Sequence, residues 1–220
     1  MYVETMTLGQ ITKEIMKEKT YLESKIVNGL NDKKYRKACL KMTEKKLHFF
    51  KRLDFVSKQS GLDYHIIPFT FGKRDYLKDG MAFIIFATFR KNNRLWACFL
   101  SGNLSTTLFF TPHFFDRYEE REEKNAESRL NLMTNFFSRN RVFNHIDYNH
   151  PNHPNSLFCT MEEGVGFGTK CEDHSLLMIT YVRNDMLRDG QTNLQSEGLK
   201  RITEAYQSFA KGADYSFNAA

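Results

Sequence analysis

The sequence has little of what usually identifies a metal centre, a redox centre or a secreted protein. It contains four cysteines, no two of which have CxxC spacing, and Cys98 lies in an apolar run where we expect a small core residue. The longest apolar run, Met81 to Phe89, is too short to cross a bilayer. No basic region followed by an apolar stretch opens the chain, so we expect no signal peptide. These absences favour a reducing, cytoplasmic setting.

Aromatic and basic residues are what the chain has in quantity. Its 220 residues include 20 Phe and 10 Tyr, which are enough for a sizeable core. The net charge is +6, and residues 1–60 hold 14 Lys and Arg against 7 Asp and Glu. A basic segment of this kind favours a polyanion: a nucleic acid, an acidic protein or an anionic membrane. The alternative is a soluble basic surface with no partner.

Helices and strands are predicted in separate blocks along the chain. Helices are predicted over residues 7 to about 59 with a break at Asn31-Asp32, over Pro112 to about Glu122, from near Asn125, and over Thr192–Lys211. Strands are predicted over Tyr64–Phe71, Met81–Arg90, Arg94–Ser101, Ser105–Phe110, Leu157–Met161, Val165–Lys170 and Ser175–Arg183. Residues 138–156 are polar and predict a loop. This segregation predicts an α+β fold with an antiparallel sheet.

The basic N-terminal helices form the first of two predicted domains. We expect residues 1–61 to form a basic helical hairpin packed on the sheet, and residues 62–220 to form the α+β domain. The second helix of the hairpin, from about Asp32 to Lys58, carries lysines with aromatic residues among them, which suits a nucleic-acid backbone. The lysines predicted to bind nucleic acid are Lys33, Lys37, Lys41, Lys45 and, much later in the chain, Lys170. Solvated lysines on an amphipathic helix are the alternative.

Three side chains on the predicted helix after Thr111 suit acid–base chemistry on a phosphate. His113, Arg117 and Arg121 are spaced i, i+4 and i+8, so they line one face of that helix. RNA is cut without a metal when its 2′-hydroxyl attacks the neighbouring phosphate. That reaction needs a base, an acid and cations, which a histidine and two arginines can supply. An ordinary solvated face, with Arg117 paired to Glu120, is the alternative.

The pattern T-x-H-x3-R-x2-E-R over residues 111–121 resembles the small toxin-like, metal-independent RNases of the barnase–EndoU–colicin–RelE group. The resemblance covers about residues 105–190. Members often carry a His–Arg–Arg pattern on a helix, and a late strand with a hydroxyl residue often completes the site. Residues 175–182 resemble that strand, so the resemblance implies that Thr180 or Tyr181 orients the phosphate or donates a proton. Four predicted strands precede the helix, where compact members have fewer.

Two further constellations have simpler interpretations. His145, His150 and His153, with Cys159 and Cys171 downstream, contain zinc-ligand residue types, but structural zinc sites usually have closely spaced ligand pairs, so a polar loop is preferred. The glycines of residues 164–168 lack the spacing of a phosphate-binding loop and predict a glycine-rich turn with a bulge.

The leading hypothesis is a cytoplasmic, metal-independent endoribonuclease that needs no cofactor. His113 would be its general acid or base, Arg117 and Arg121 would clamp the phosphate, and the basic hairpin would recruit RNA. The second hypothesis is a non-enzymatic accessory factor of a phage or mobile element that binds nucleic acid or protein, and the third is a zinc-dependent hydrolase. We expect RNA or another polyanion as the partner, a protein as a further possibility, and no membrane.

Overall fold

Helices and strands follow one another in blocks, as the sequence predicts. A computed structural model describes residues 1–101, 107–122, 125–148, 154–171 and 175–211, with side chains described as far as residue 207. Its helices are α1 (Leu8–Lys17), α2 (Lys19–Leu30), α3 (Lys33–Leu40), α4 (Lys73–Asp79), α5 (Pro112–Arg121), α6 (Arg129–Arg139) and α7 (Asp189–Lys211). Its strands are β1 (His48–Phe49), β2 (Leu53–Val56), β3 (Asp63–Thr70), β4 (Ala82–Lys91), β5 (Arg94–Leu100), β6 (Thr107–Phe110), β7 (Asn144–Asp147), β8 (Ser156–Thr160), β9 (Gly164–Lys170) and β10 (Leu176–Arg183).

The ten strands form one sheet in the order β1-β3-β4-β5-β6-β10-β9-β8-β7, and β2 also pairs with β3. Neighbouring strands are antiparallel except β6 and β10, which are parallel. The α+β class with an antiparallel sheet and N-terminal helices is therefore confirmed. The parallel pair brings the late strand β10 beside the strand that leads into α5.

The sheet is covered on both faces by apolar helix surfaces. On one face α5 and α6 bury an aromatic cluster that includes Phe114, Tyr118, Phe136 and Phe137. On the other face α1 and α2 bury their apolar side against β3, β4 and β5. That second cluster joins residues on both sides of position 61, and the division into two domains there stays a prediction.

The N-terminal segment contains less helix than its apolar spacing suggests. The helix predicted from Asp32 to Lys58 ends at Leu40, and residues 48–56 form β1 and β2 on the edge of the sheet. Leu47, Phe49, Leu53 and Phe55 stand at odd positions, which is the alternation of a strand. The helix prediction counts Met42, Phe49, Leu53 and Val56 as one apolar side, although Phe49 belongs to β1 and Leu53–Val56 to β2.

Tight turns and helix starts are predicted more accurately than the N-terminal helix. The Asn92-Asn93 pair tolerates a positive φ and predicts a tight hairpin turn, and Gly102-Asn103 predicts another. Asn92 and Asn93 form the turn between β4 and β5, with φ of 52° and 57°. Thr111 caps α5, where its Oγ1 accepts a hydrogen bond of 3.1 Å from the Phe114 N–H. The Gly102-Asn103 turn lies outside the described residues.

Part of the loop predicted over 138–156 is the edge strand β7, and α4 has no counterpart among the predictions.

The glycines of residues 164–168 lie within β9, which confirms the strand predicted over Val165–Lys170, whereas the turn predicted at these glycines is wrong. A Cβ on Gly164 would lie 2.4 Å from the Tyr181 hydroxyl oxygen and 2.6 Å from the ring, and one on Gly166 would lie 3.3 Å from Phe114. These glycines let the aromatic cluster under α5 approach β9 closely. The bulge lies on the neighbouring strand β10, between Met178 and Thr180.

Candidate functional site

His113 lies at the exposed start of α5, beside the β4–β5 turn. Thr111 and Pro112 begin the helix and leave His113 on its outer surface. A hollow of about 270 Å³ opens there. The residues that line it are Lys91, Asn92, Arg94, Trp96, Thr111, Pro112 and His113. Two cationic side chains therefore share this hollow with the imidazole, and neither is one of the arginines that the helical spacing predicts.

Arg117 and Arg121 are both engaged within the molecule. Arg117 Nη1 donates to Glu120 Oε2 at 2.7 Å, which is the pairing that the solvated-face alternative expects. Arg121 Nη1 donates to the backbone carbonyl of Tyr181 and so links the end of α5 to β10. Each guanidinium therefore already uses Nη1 within the molecule, and the charge of Arg117 is paired with Glu120.

Thr180 and Tyr181 do not face His113. Tyr181 is fully buried, and its hydroxyl lies 3.0 Å from Glu122 Oε1 and 2.9 Å from the Glu163 carbonyl oxygen. Burial and the nearby Glu122 raise the pKa of Tyr181. Glu122 follows the last turn of α5, roughly 13 Å along the helix axis from His113. Thr180 is next to Tyr181 in β10 and so points to the other face of the sheet.

A second group of charged side chains lies at the opposite corner of the sheet. There α3 packs beside α4, which begins directly after β3. We call residues 32–46 and 72–80 the basic corner, and they hold ten Lys and Arg against four Asp and Glu. Four of the five lysines predicted to bind nucleic acid belong to it: Lys33, Lys37, Lys41 and Lys45. The segment 72–80 adds Lys73, Arg74 and Lys78, which the sequence reasoning missed.

Most cations of the basic corner have no acidic partner. Lys34 pairs with Asp32, Lys46 with Glu44 and Lys78 with Asp79. Within the described part of the chain, the following side chains form no ion pair: Lys33, Arg36, Lys37, Lys41, Lys45, Lys73 and Arg74. These seven cations are therefore available to an anionic ligand.

A hollow of about 390 Å³ opens in the basic corner between residues 42–45 and α4. Its shape depends on Gly72, whose φ is +124° and whose missing Cβ would lie 2.9 Å from the Glu44 carbonyl oxygen. Phe71 and Leu77 are 38% and 63% exposed beside the lining cations. An anionic ligand with a flat apolar part could therefore contact charges and a ring together.

Lys170 belongs to a different part of the molecule. It forms a 2.5 Å ion pair with Asp147, which joins β9 to β7. Five strand spacings separate β9 from β3 in the sheet, about 24 Å. The structure therefore does not bring Lys170 together with the other four predicted lysines.

Only some of the residues that the zinc hypothesis involves lie within the described ranges. His145 stands opposite Cys159 in the β7–β8 ladder, while His150 and His153 lie outside the described residues. Among the described residues, no three His, Cys, Asp or Glu side chains are placed to hold a metal ion. Cys159 is buried in the aromatic cluster, and burial raises the pKa of its thiol to about 12.

Comparison of the chain with family models, with curated proteins and with solved structures finds no match. The resemblance of residues 105–190 to toxin-like RNases stays a prediction. No helix within the described ranges combines the length and apolar character needed to cross a membrane.

Proposed function

We propose that this protein binds single-stranded RNA through the basic corner. The observation that carries the proposal is the basic corner itself, where seven cations without an ion pair among the described residues come from two segments far apart in the sequence. Three of them, Lys45, Lys73 and Arg74, line one hollow together with the exposed Phe71. Lysine and arginine neutralise backbone phosphates without reading sequence. An exposed ring gives an unpaired base a surface on which to stack.

Single strands suit this surface better than duplexes do. Phe49 and Phe71 are both partly exposed along the edge formed by β1 and β3, and each contacts Phe69. Stacking on such rings contributes about 1–3 kcal/mol per base. The bases of a duplex are already stacked on one another, so a duplex would gain only the phosphate contacts.

Charge reversal at matched positions tests the proposal. The affinity of the full chain for an RNA of about 12 nucleotides is measured by fluorescence anisotropy. We expect Lys37→Glu with Lys41→Glu to weaken binding about tenfold or more, because the phosphates lose two cations and meet two carboxylates. Lys13→Glu with Lys200→Glu changes the net charge equally, at exposed residues outside the corner. Equal weakening by both pairs would show that net charge alone matters and would contradict the proposal.

A metal-independent endoribonuclease is the second candidate, and exposed His113 in its hollow with Lys91 and Arg94 is the observation that favours it. The 2′-oxygen would form a bond to phosphorus as the bond to the 5′-oxygen breaks, and the imidazole would accept or donate a proton. Tyr181 is buried away from this hollow, so it cannot supply the second proton carrier there.

Purified protein incubated with RNA in EDTA tests this second candidate. Cleavage in the wild type that His113→Ala abolishes, without a loss of folding or RNA affinity, would support it. Intact RNA in both samples would leave binding alone as the function. Comparing the affinity for this RNA with that for a DNA of the same sequence shows whether the 2′-hydroxyl contributes to binding.

A further inference from the structure

The hollow of the basic corner has two kinds of wall. Met42, Phe71 and Leu77 supply apolar surface, while Lys45, Lys73 and Arg74 supply positive charge. Its volume of about 390 Å³ falls within the range of small-ligand pockets, about 300–1,000 Å³. A nucleotide has the matching division into a flat base and an anionic phosphate. The hollow is therefore large enough and suitably lined for one nucleotide of a strand.

Asp75 adds a hydrogen-bond acceptor to the same hollow. It lines the space, and its Oδ2 is shielded from solvent without a hydrogen-bond partner among the described residues. A shielded carboxylate oxygen with no donor is costly, and a ligand in the hollow reaches this oxygen only after the carboxylate turns. Rotation about the terminal torsion of an aspartate is soft and nearly two-fold, so either oxygen can turn toward the space.

We infer that this hollow binds one nucleobase of the strand, and that Asp75 makes guanine the preferred base. Guanine presents N1–H and N2–H side by side, and an ionised carboxylate accepts two such hydrogen bonds at once. Adenine and cytosine present one amino donor beside an acceptor, and uracil presents a single N–H between two carbonyls. The flat face of the base stacks on Phe71, and the flanking phosphates contact Lys45, Lys73 and Arg74.

This inference rests on the proposed RNA binding, and the test separates the two. Four oligouridines of about 12 nucleotides are compared, with a central G, A, C or U, by fluorescence anisotropy on the full chain. We expect the strand with guanine to bind about tenfold more tightly than the other three. Equal affinity for all four strands, still reduced by the Lys37→Glu and Lys41→Glu pair, would overturn the base inference and leave RNA binding intact. Binding to none of them would overturn both.

Two isosteric variants assign the preference to one carboxylate. Asp75→Asn removes the second acceptor, so we expect it to lose the guanine preference while its affinity for oligouridine stays within about threefold of the wild type or rises. Asp79→Asn removes the same charge from the same helix at an exposed position and should keep the preference. A guanine preference that survives in Asp75→Asn would contradict the role given to this residue. The comparison of the four strands on the wild-type chain uses no variant. It therefore decides whether guanine is preferred even if Asp75→Asn fails to fold.

Discussion

At the residue scale, His65 shows how a buried titratable group is held by its neighbours. It is 4% exposed; its Nδ1 lies 2.7 Å from Asp54 Oδ1 and its Nε2 lies 2.9 Å from Thr88 Oγ1. Since the carboxylate accepts from Nδ1–H, the neutral ring accepts the Thr88 hydroxyl at Nε2. Burial lowers the pKa of His65 below 6.5, and Asp54 opposes this shift only in part.

Acid should therefore weaken the fold through His65. The unfolded chain takes up this proton more readily than the folded protein does, so the free energy of unfolding falls as the pH drops below about 6.5. Urea unfolding between about pH 5 and 7.5 measures this slope, which His65→Gln should reduce. Partial burial and Lys170 also lower the pKa of His145, so His145→Gln is the control. Its effect should be smaller because His145 is more exposed than His65. An unchanged slope in His65→Gln would contradict this account.

At the element scale, helix starts and tight turns are predictable because short-range chemistry decides them. Thr111 and Pro112 give the first turn of α5, and the Asn92-Asn93 pair gives the β4–β5 turn. The end of α3 is less predictable, because Cys39 and Met42 continue the helical spacing past Leu40, while the strand alternation begins only at Leu47. The helix α4 was missed because it spans only 73–79 and buries no residue, so it leaves no apolar stripe to detect.

Two glycines that bracket α4 make a matched pair for testing how the basic corner is built. Gly72 and Gly80 both have a positive φ and an extended ψ, a region that residues with a Cβ avoid. We expect alanine at either position to lower the free energy of unfolding by about 1–3 kcal/mol. Gly72→Ala should cost more, because its Cβ would lie 2.9 Å from the Glu44 carbonyl oxygen while nothing lies within 4 Å at Gly80. It should also weaken RNA binding, and equal effects of the two variants would contradict the packing described for the hollow.

At the scale of the whole molecule, the sequence predicts the class of fold but not which segments meet. The strands β3 to β6 and β8 to β10 follow from composition and spacing, whereas β1, β2 and β7 do not. The parallel pairing of β6 with β10 joins segments more than sixty residues apart and has no local signal. The same limit applies to the candidate sites. The lysines of α3 are visible in the sequence, but the contact with α4 that completes the basic corner is not. The helical spacing of His113, Arg117 and Arg121 can be read from the sequence. The hydrogen bonds of Arg121 to the Tyr181 carbonyl and of the Tyr181 hydroxyl to Glu122 cannot.

The salt dependence of RNA affinity tests the central claim most directly. Each phosphate contact on a single strand contributes about 0.7 to the slope of log affinity against log salt, so loss of the contacts at Lys37 and Lys41 should reduce the slope by about 1.4. The slope is measured between about 50 and 200 mM salt for the wild type, for Lys37→Glu with Lys41→Glu, and for Lys13→Glu with Lys200→Glu. The account predicts a shallower slope for the first pair and a wild-type slope for the second. Wild-type slopes for both pairs would contradict the claim that the basic corner holds the RNA backbone.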